Sequence, residues 1–249
     1  MQVLGYINLL AYSSLVSVYP GYGNQKGGAL TDKLILKQIP VGPFQVMTYL
    51  AACPQTREGV IIDPAGEEDN LLSLIEKQNV KVKYILNTHG HADHVFGNQK
   101  LKDSLKVPVC MHEDDDRFFA DEAVREKSLE ELGLPPSDPA DIRLKDGDVL
   151  KAGTLKVEVI HTPGHTPGSV CYLIDGNLFS GDTLFVGAVG RTDLIGGSLD
   201  TLLESLEKRL IVLPKETIVW PGHDYGDSPT STIGREMEEN PYITDFILT

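Results

Sequence analysis

Thr88-His89-Gly90-His91-Ala92-Asp93-His94 directly follows the apolar run at residues 82–86. Three imidazoles and a carboxylate therefore fall within six residues, at the end of a segment that reads as a buried strand. Imidazoles and carboxylates are preferred ligands of borderline divalent metals such as Zn²⁺. A strand end fixes the backbone, and the short turn beyond it lets alternate side chains converge. His89 and His91, two apart, can grip one ion, while Asp93 and His94 turn toward a neighbouring one. The chain has seven histidines in 249 residues, so three in one turn set this stretch apart from ordinary loop composition.

Further candidates also follow strands. His161-Thr162-Pro163-Gly164-His165-Thr166-Pro167-Gly168-Ser169 comes after a strand at residues 155–160, and its prolines and glycines stiffen a turn with His165 at the apex. His161 still belongs to the strand end and reads as structural, as does His112 after another strand. Ser180-Gly181-Asp182 follows Leu178-Phe179. An acid leaving a buried strand is costly without a compensating charge, which a bridged metal supplies. Pro221-Gly222-His223-Asp224-Tyr225, after residues 218–220, delivers one more imidazole. Five histidines and two aspartates are too many for one tetrahedral ion and suit two ions about 3.5–4 Å apart.

From Leu34 onward strands and helices alternate. Strands are expected at residues 34–38, 46–50, 60–62, 82–86 and 107–111. A helix is expected over 67–79, where Leu71, Leu72 and Ile75 share a face, and another over about 95–105. The acidic run Glu113-Asp114-Asp115-Asp116 reads as the first turn of a solvated helix reaching about Arg125. Residues 128–146, with Pro135, Pro136 and Pro139, read as a loop connecting two halves. Leu155, Val157 and Val159 alternate with Lys156 and Glu158 as in a half-buried strand. Residues 170–174 and 178–179 form a hairpin about Asp175-Gly176. Ser198 caps a helix whose core face is Leu199, Leu202, Leu203, Leu206 and Leu210. Residues 218–220 give the last strand, and a short helix over 232–239 ends before Asn240-Pro241. One compact α/β domain spanning 34–249 is expected.

A composition of 41% apolar and 23% charged residues is that of a globular chain able to bury a core. The formal charge of −14 disfavours binding to a phosphate backbone. Cys53, Cys110 and Cys171 are widely spaced beside apolar residues and read as reduced, buried thiols, which suits a cytoplasmic protein. No apolar run is long enough to cross a membrane. The first 25 residues carry no charge, but they lack a basic opening, and Asn8, Ser13, Ser14 and Ser17 interrupt the apolar stretch. Residues 1–33 therefore read as an appended segment with a turn at 19–23, and not as an export signal. The expected partner is a small-molecule substrate, with neither nucleic acid nor membrane; homo-oligomerisation stays open.

The set His89-x-His91-x-Asp93-His94, His165, Asp182 and His223 resembles the metallo-β-lactamase superfamily over residues 34–249. Within it the chain is similar to the glyoxalase II-like hydrolases. Residues 185–193 look like their loop after the bridging aspartate, and residues 231–242 like the C-terminal signature of their compact members. The resemblance implies a four-layer αββα sandwich, with two mixed sheets, helices on the outer faces and the site at one edge. It implies one metal on His89, His91, His165 and Asp182, and a second on Asp93, His94, Asp182 and His223. Asp63 would support the histidine turn. Residues 1–33 have no counterpart in that pattern, and the basic helical extension that grips glutathione in larger glyoxalase II enzymes is not found at the end of this chain.

The resemblance implies a hydrolase holding two divalent ions, zinc first and iron or manganese as alternatives, that acidify a shared water to attack a thioester such as S-acyl glutathione. Asp93 and Asp182 orient that water. Arg191 is a candidate anchor for a substrate carboxylate, or a surface ion pair, and Tyr225 either hydrogen-bonds the leaving group or packs. A persulfide dioxygenase with one iron on His89, His165 and Asp182 is the alternative, since its loop resembles Gly190-Arg191-Thr192-Asp193. A lactonase or β-lactamase activity would use the same ions. A nuclease is disfavoured by the charge, and a non-catalytic metal module by the abundance of ligands.

Overall fold

The structure, a computed structural model, describes residues 34–248. The appended segment expected at 1–33 and the turn expected at 19–23 lie outside the described residues. Sheet 1 carries β1 (Ile35–Val41), β2 (Val46–Ala52), β3 (Glu58–Ile62), β4 (Lys81–Leu86), β5 (Val109–His112) and β6 (Ile142–Leu144), in that spatial order. Its first three strands are antiparallel, and β3 to β6 are parallel. Sheet 2 carries β7 (Val149–Ala152), β8 (Leu155–His161), β9 (Val170–Ile174), β10 (Asn177–Gly181), β11 (Ile218–Pro221) and β12 (Ser231–Thr232). Only β10 and β11 pair in parallel. Both sheets are therefore mixed.

Burial patterns explain the layering. Every residue of β2 is buried, because the strand is covered on both faces. Its inward side chains join Val60, Val157, Val159, Tyr172, Phe179 and Trp220 between the sheets. Tyr49 meets Phe179 edge-on at 5.0 Å and Trp220 at 6.0 Å, a geometry aromatic quadrupoles favour. On the outer face of sheet 1, Leu71 and Ile75 of α1 (Glu68–Lys77) pack on Leu50, Ile61 and Ile85, and so does Leu101, which lies further along the chain. On the outer face of sheet 2, Leu206, Leu210, Ile233 and Ile243 cover Ile160, Leu178 and Val219. The result is the four-layer αββα sandwich. The hairpin turn uses Asp175 at φ 48° and Gly176 at φ 75°, the left-handed pair that matches strand twist in a two-residue connection.

Several expectations need correction. The helix after the histidine turn begins earlier and is broken, with α2 (Ala92–Val95) and α3 (Asn98–Leu105) separated at Phe96-Gly97. The glycine there presses on the Pro64 carbonyl, where a Cβ would stand 2.5 Å away. The strand expected at 107–111 runs from Val109 through His112. The acidic run is not one solvated helix: α4 (Glu113–Phe118) stops, and α5 (Glu122–Leu132) restarts on an Asp121 cap. Asp115 and Asp116 are buried, because Asp115 receives backbone and hydroxyl donors and Asp116 meets Ala140 N and Arg143. Residues 128–146 are not all loop, since they hold the end of α5 and β6. Ser198 does cap α6 (Leu199–Ser205), which runs on as a π-turn over Leu206–Leu210, but Leu199, the first residue of the helix, is exposed and not part of its core face. Thr232 caps α7 (Ile233–Glu239), and α8 (Pro241–Thr244) follows it.

The carboxyl ends of β3, β4 and β5 point one way. Because β8 and β10 both run antiparallel to β9, and β11 is parallel to β10, three strands of sheet 2 also share a direction. Hydrogen bonds tie the two sheets together at these ends: Val170 N to the Thr88 carbonyl (2.8 Å), Tyr172 Oη to the Asn87 carbonyl (2.7 Å) and Met47 N to the Gly222 carbonyl (2.8 Å).

Truncating Phe179 to Ala empties the centre of this inter-sheet layer and is expected to cost about 3–5 kcal/mol of stability. Urea denaturation of wild type and variant measures it, and an unchanged midpoint would contradict the placement of Phe179 in the core.

Candidate metal centre

The seven side chains singled out in the sequence gather at one edge of the sandwich. His89 and His91 follow β4, His165 follows β8, Asp182 follows β10 and His223 follows β11, while Asp93 and His94 lie in α2. His89, His91 and His165 form one group and Asp93, His94 and His223 another, with the potential ligand atoms of each group within 4.8 Å of one another. His165 Nε2 stands 2.9 Å from His91 Nδ1 and 3.2 Å from His89 Nε2. Asp182 lies between the groups, 3.4 Å from His94 Nε2, 3.5 Å from His223 Nε2 and 3.7 Å from His165 Nε2. All five imidazoles are buried; Asp93 and Asp182 keep 14% and 11% of their side-chain surface, so the cluster opens to solvent at its carboxylates.

The hydrogen bonds around the cluster fix the tautomers of His89 and His165. Thr88 Oγ1 donates to Asp63 Oδ2 (2.6 Å), so it accepts from His89 Nδ1 (3.1 Å) and leaves His89 Nε2 with a free lone pair. His165 donates Nδ1–H to the Arg191 carbonyl (2.7 Å), which frees its Nε2 in the same way. Burial, and then neighbouring imidazoles, push the pKa of His89 and His91 well down, so both stay neutral. Burial chiefly lowers His165 as well. The lone pairs of His89 Nε2 and His165 Nε2, 3.2 Å apart, repel unless a proton or a cation stands between them. The other half tells the same story with charge: burial opposes a proton on His94, yet Asp182, Asp93 and Asp63 together raise its pKa to about 10. A field that favours a proton there favours a cation. Asp182, which burial alone would raise, is held well below the usual carboxylate range by His94, His223 and His165. Finally, His94 Nε2, Asp182 Oδ1 and His223 Nδ1 are buried with no hydrogen-bond partner, which is rare unless an ion supplies one. The donor set and its orphaned atoms therefore fit divalent metal.

Supporting groups come from both sheets. Asp63, at the end of β3, accepts from Thr88 N (2.8 Å) and Thr88 Oγ1 and holds His94 Nδ1 at 3.0 Å. Tyr49 Oη donates to the Pro221 carbonyl (2.6 Å) and steadies the turn that bears His223. Gly222 must lack a side chain, because a Cβ there would stand 2.2 Å from Asp182 Oδ1. Reading the sequence missed Asp115, whose carboxylate reaches two ligand turns; nothing in a run of four acids distinguishes it.

The Arg191 side chain is 59% exposed and makes a bidentate pair with Asp193 at 2.7 and 2.8 Å, while its carbonyl holds His165. Tyr225 is exposed and lies flat on His223, with ring centroids 4.9 Å apart, and Phe185 stands edge-on to both. His112 and His161 lie outside the cluster. They stack in parallel 4.0 Å apart beside Asp114, and His161 Nε2 donates to the Pro167 carbonyl (3.0 Å). The three cysteines are free and buried.

A layered α/β sandwich with a histidine–aspartate cluster at its sheet edge defines a class of metal-binding proteins. A family model described as the metallo-beta-lactamase superfamily matches residues 41–223, and the chain belongs to that superfamily. The hydroxyacylglutathione hydrolase GloC of Haemophilus influenzae is 34% identical over 210 residues, covering 82% of this chain and 96% of that protein. The mitochondrial persulfide dioxygenase ETHE1 of Homo sapiens is 31% identical over 224 residues, covering 89% of this chain and 80% of its own. The crystal structure of TTHA1623 in a di-iron-bound form superposes with a TM-score of 0.70 at 36% identity, covering 82% of this chain and 98% of that one.

Two predictions follow from this geometry. Gly222→Ala displaces Asp182 and is expected to lower metal content while leaving the far-UV circular dichroism intact; full metal content by elemental analysis would contradict the close approach. His112 is pushed down to about 4 by burial, then by His161, against Asp114, Glu113 and Asp146. An unfolded histidine titrates near 6.5, so the unfolded chain binds more protons between pH 6.5 and 4, and stability falls as pH drops through that window. Replacing His112 with Gln is expected to flatten the pH slope of unfolding free energy there, and an unaltered slope would refute it.

Proposed function

We propose that the chain is a dinuclear metal-dependent hydrolase that cleaves a thioester, S-acyl glutathione or a compound of that class, in a reducing cytoplasm. The observation that carries this reading is the completeness of both donor groups, His89/His91/His165 and Asp93/His94/His223, with Asp182 between them. The 34% identity to a hydroxyacylglutathione hydrolase supports the substrate class, and the three free thiols support the compartment. Divalent ions held there, zinc first and iron or manganese in its place, supply a water acidified toward neutrality, from 15.7 to about 7, and polarisation of the acyl carbonyl.

The chain's own groups do the rest. Asp93 Oδ2 stands 3.8 Å from both His94 Nε2 and His223 Nε2 at the open side of the cluster. From there it orients the attacking water and takes its proton as the acyl carbon becomes tetrahedral. Asp182 balances the positive charge between the groups. The Arg191 guanidinium, steadied by Asp193, anchors a substrate carboxylate at the rim. The Tyr225 phenol lies beside the cluster and donates to the departing thiolate, so water and thioester become carboxylate, thiol and one proton. A surface of net charge −14 admits such a small substrate through the local field of Arg191 and turns away polyanions.

A second reading, a persulfide dioxygenase with one iron on His89, His165 and Asp182, is favoured by the 31% identity to ETHE1 over most of both chains. Elemental analysis with paired assays separates the two. Two ions with thioester cleavage support the hydrolase; one iron with oxygen uptake on glutathione persulfide supports the dioxygenase. In the hydrolase, Asp182→Ala is expected to lower turnover beyond the roughly 10–100-fold seen when a merely supporting residue is lost, with reduced metal content. Near-normal turnover in that variant would remove the two-ion reading.

A further inference from the structure

We propose that Asp115 is the positioning residue of the His89/His91/His165 half of the centre, and that it sets the affinity for the ion held there separately from that at Asp93/His94/His223. The proposal rests on the two-ion reading above. Asp115 lies in α4 and is fully buried. Its Oδ2 accepts from Gly90 N and from Thr166 Oγ1, each at 2.8 Å, and its Oδ1 accepts from Gly168 N at 2.6 Å. Gly90 sits between His89 and His91, and Thr166 follows His165. A single carboxylate thus clasps the two turns whose imidazoles face each other.

The packing leaves no slack around this clasp. A Cβ at Gly168 would stand 2.3 Å from Asp115 N, and one at Gly90 would stand 2.2 Å from the Phe119 ring. The far end of the His165 turn is braced from the same side by His161, through the Pro167 carbonyl and its stack on His112. Among the described residues Asp115 has no ion pair, so its three accepted hydrogen bonds are its attachment. Asp63 holds His94 Nδ1 in the other half, and through Thr88 it also reaches His89. Asp115 is thus the buried carboxylate that joins the His89/His91 turn to the His165 turn, and His94 rests on Asp63. Asparagine at 115 would turn an NH₂ toward donors that need an acceptor, so the turns would part and the three imidazoles would lose their common focus.

The test is titration of chelator-stripped protein with Zn²⁺ by calorimetry and with Co²⁺ by visible absorbance, for wild type, Asp115→Asn, Thr166→Val and His223→Ala. Two binding events are expected in wild type. Asp115→Asn is expected to weaken one of them about 10–100-fold, the range for loss of a group that orients metal ligands, and to leave the other nearly unchanged. His223→Ala is expected to abolish the event that Asp115→Asn spares. Thr166→Val, which removes a single donor, weakens the same event less, and it carries the test if Asp115→Asn does not fold. Equal weakening of both events together with a lower apoprotein Tm would show a general structural role, and unaltered affinities would show no role; either overturns the proposal. A single event in wild type would instead remove the two-ion reading. Asp115 is then judged on that one ion, whose affinity must still fall in Asp115→Asn.

Discussion

His89 Nε2 and His165 Nε2 face each other across 3.2 Å with a lone pair on each, His91 Nδ1 closes on His165 at 2.9 Å, and the architecture around them serves to hold these three rings together. Thr88 and the Arg191 carbonyl each take the N–H from the far side of a ring, so the near side is left as a donor. Burial keeps His89 and His91 from taking up a second ring proton. The turns that carry these rings are anchored to strands and to buried carboxylates. Donors held in this way need little rearrangement to take a cation.

The fold supplies anchoring by direction. Parallel strands deliver their carboxyl ends to one edge, three from each sheet, and each end carries one functional residue or pair: Asp63, His89 with His91, Asp115, His165, Asp182 and His223. Rings of Tyr49, Phe179 and Trp220 set the separation of the sheets just behind that edge. Tyr49 then reaches out of the core to hold the Pro221 carbonyl, so the same side chain sets core spacing and ligand position.

Much of this was legible in the sequence, for physical reasons. Histidine is scarce in the chain, and its concentration after apolar runs left little freedom in where the ligand turns lie. The strong periodicities of α1 and β8 were equally readable. The strands β6, β7 and β12 span two to four residues of mixed exposure and carry no period to detect. Asp115 escaped because four adjacent acids look alike until the helix places one of them under two turns. Leu199 misled because its spacing fits the face of α6, while at the first position of the helix it stays exposed.

The contrast between the buried ligands and the exposed Arg191 and Tyr225 has a broader consequence. The interior of the cluster is locked by interdependent bonds, whereas at the rim the Arg191 guanidinium holds Asp193 and the Tyr225 ring rests on His223 and Phe185. Substitution of either rim side chain changes the surface that a molecule entering the site meets and leaves the hydrogen bonds that hold the imidazoles untouched.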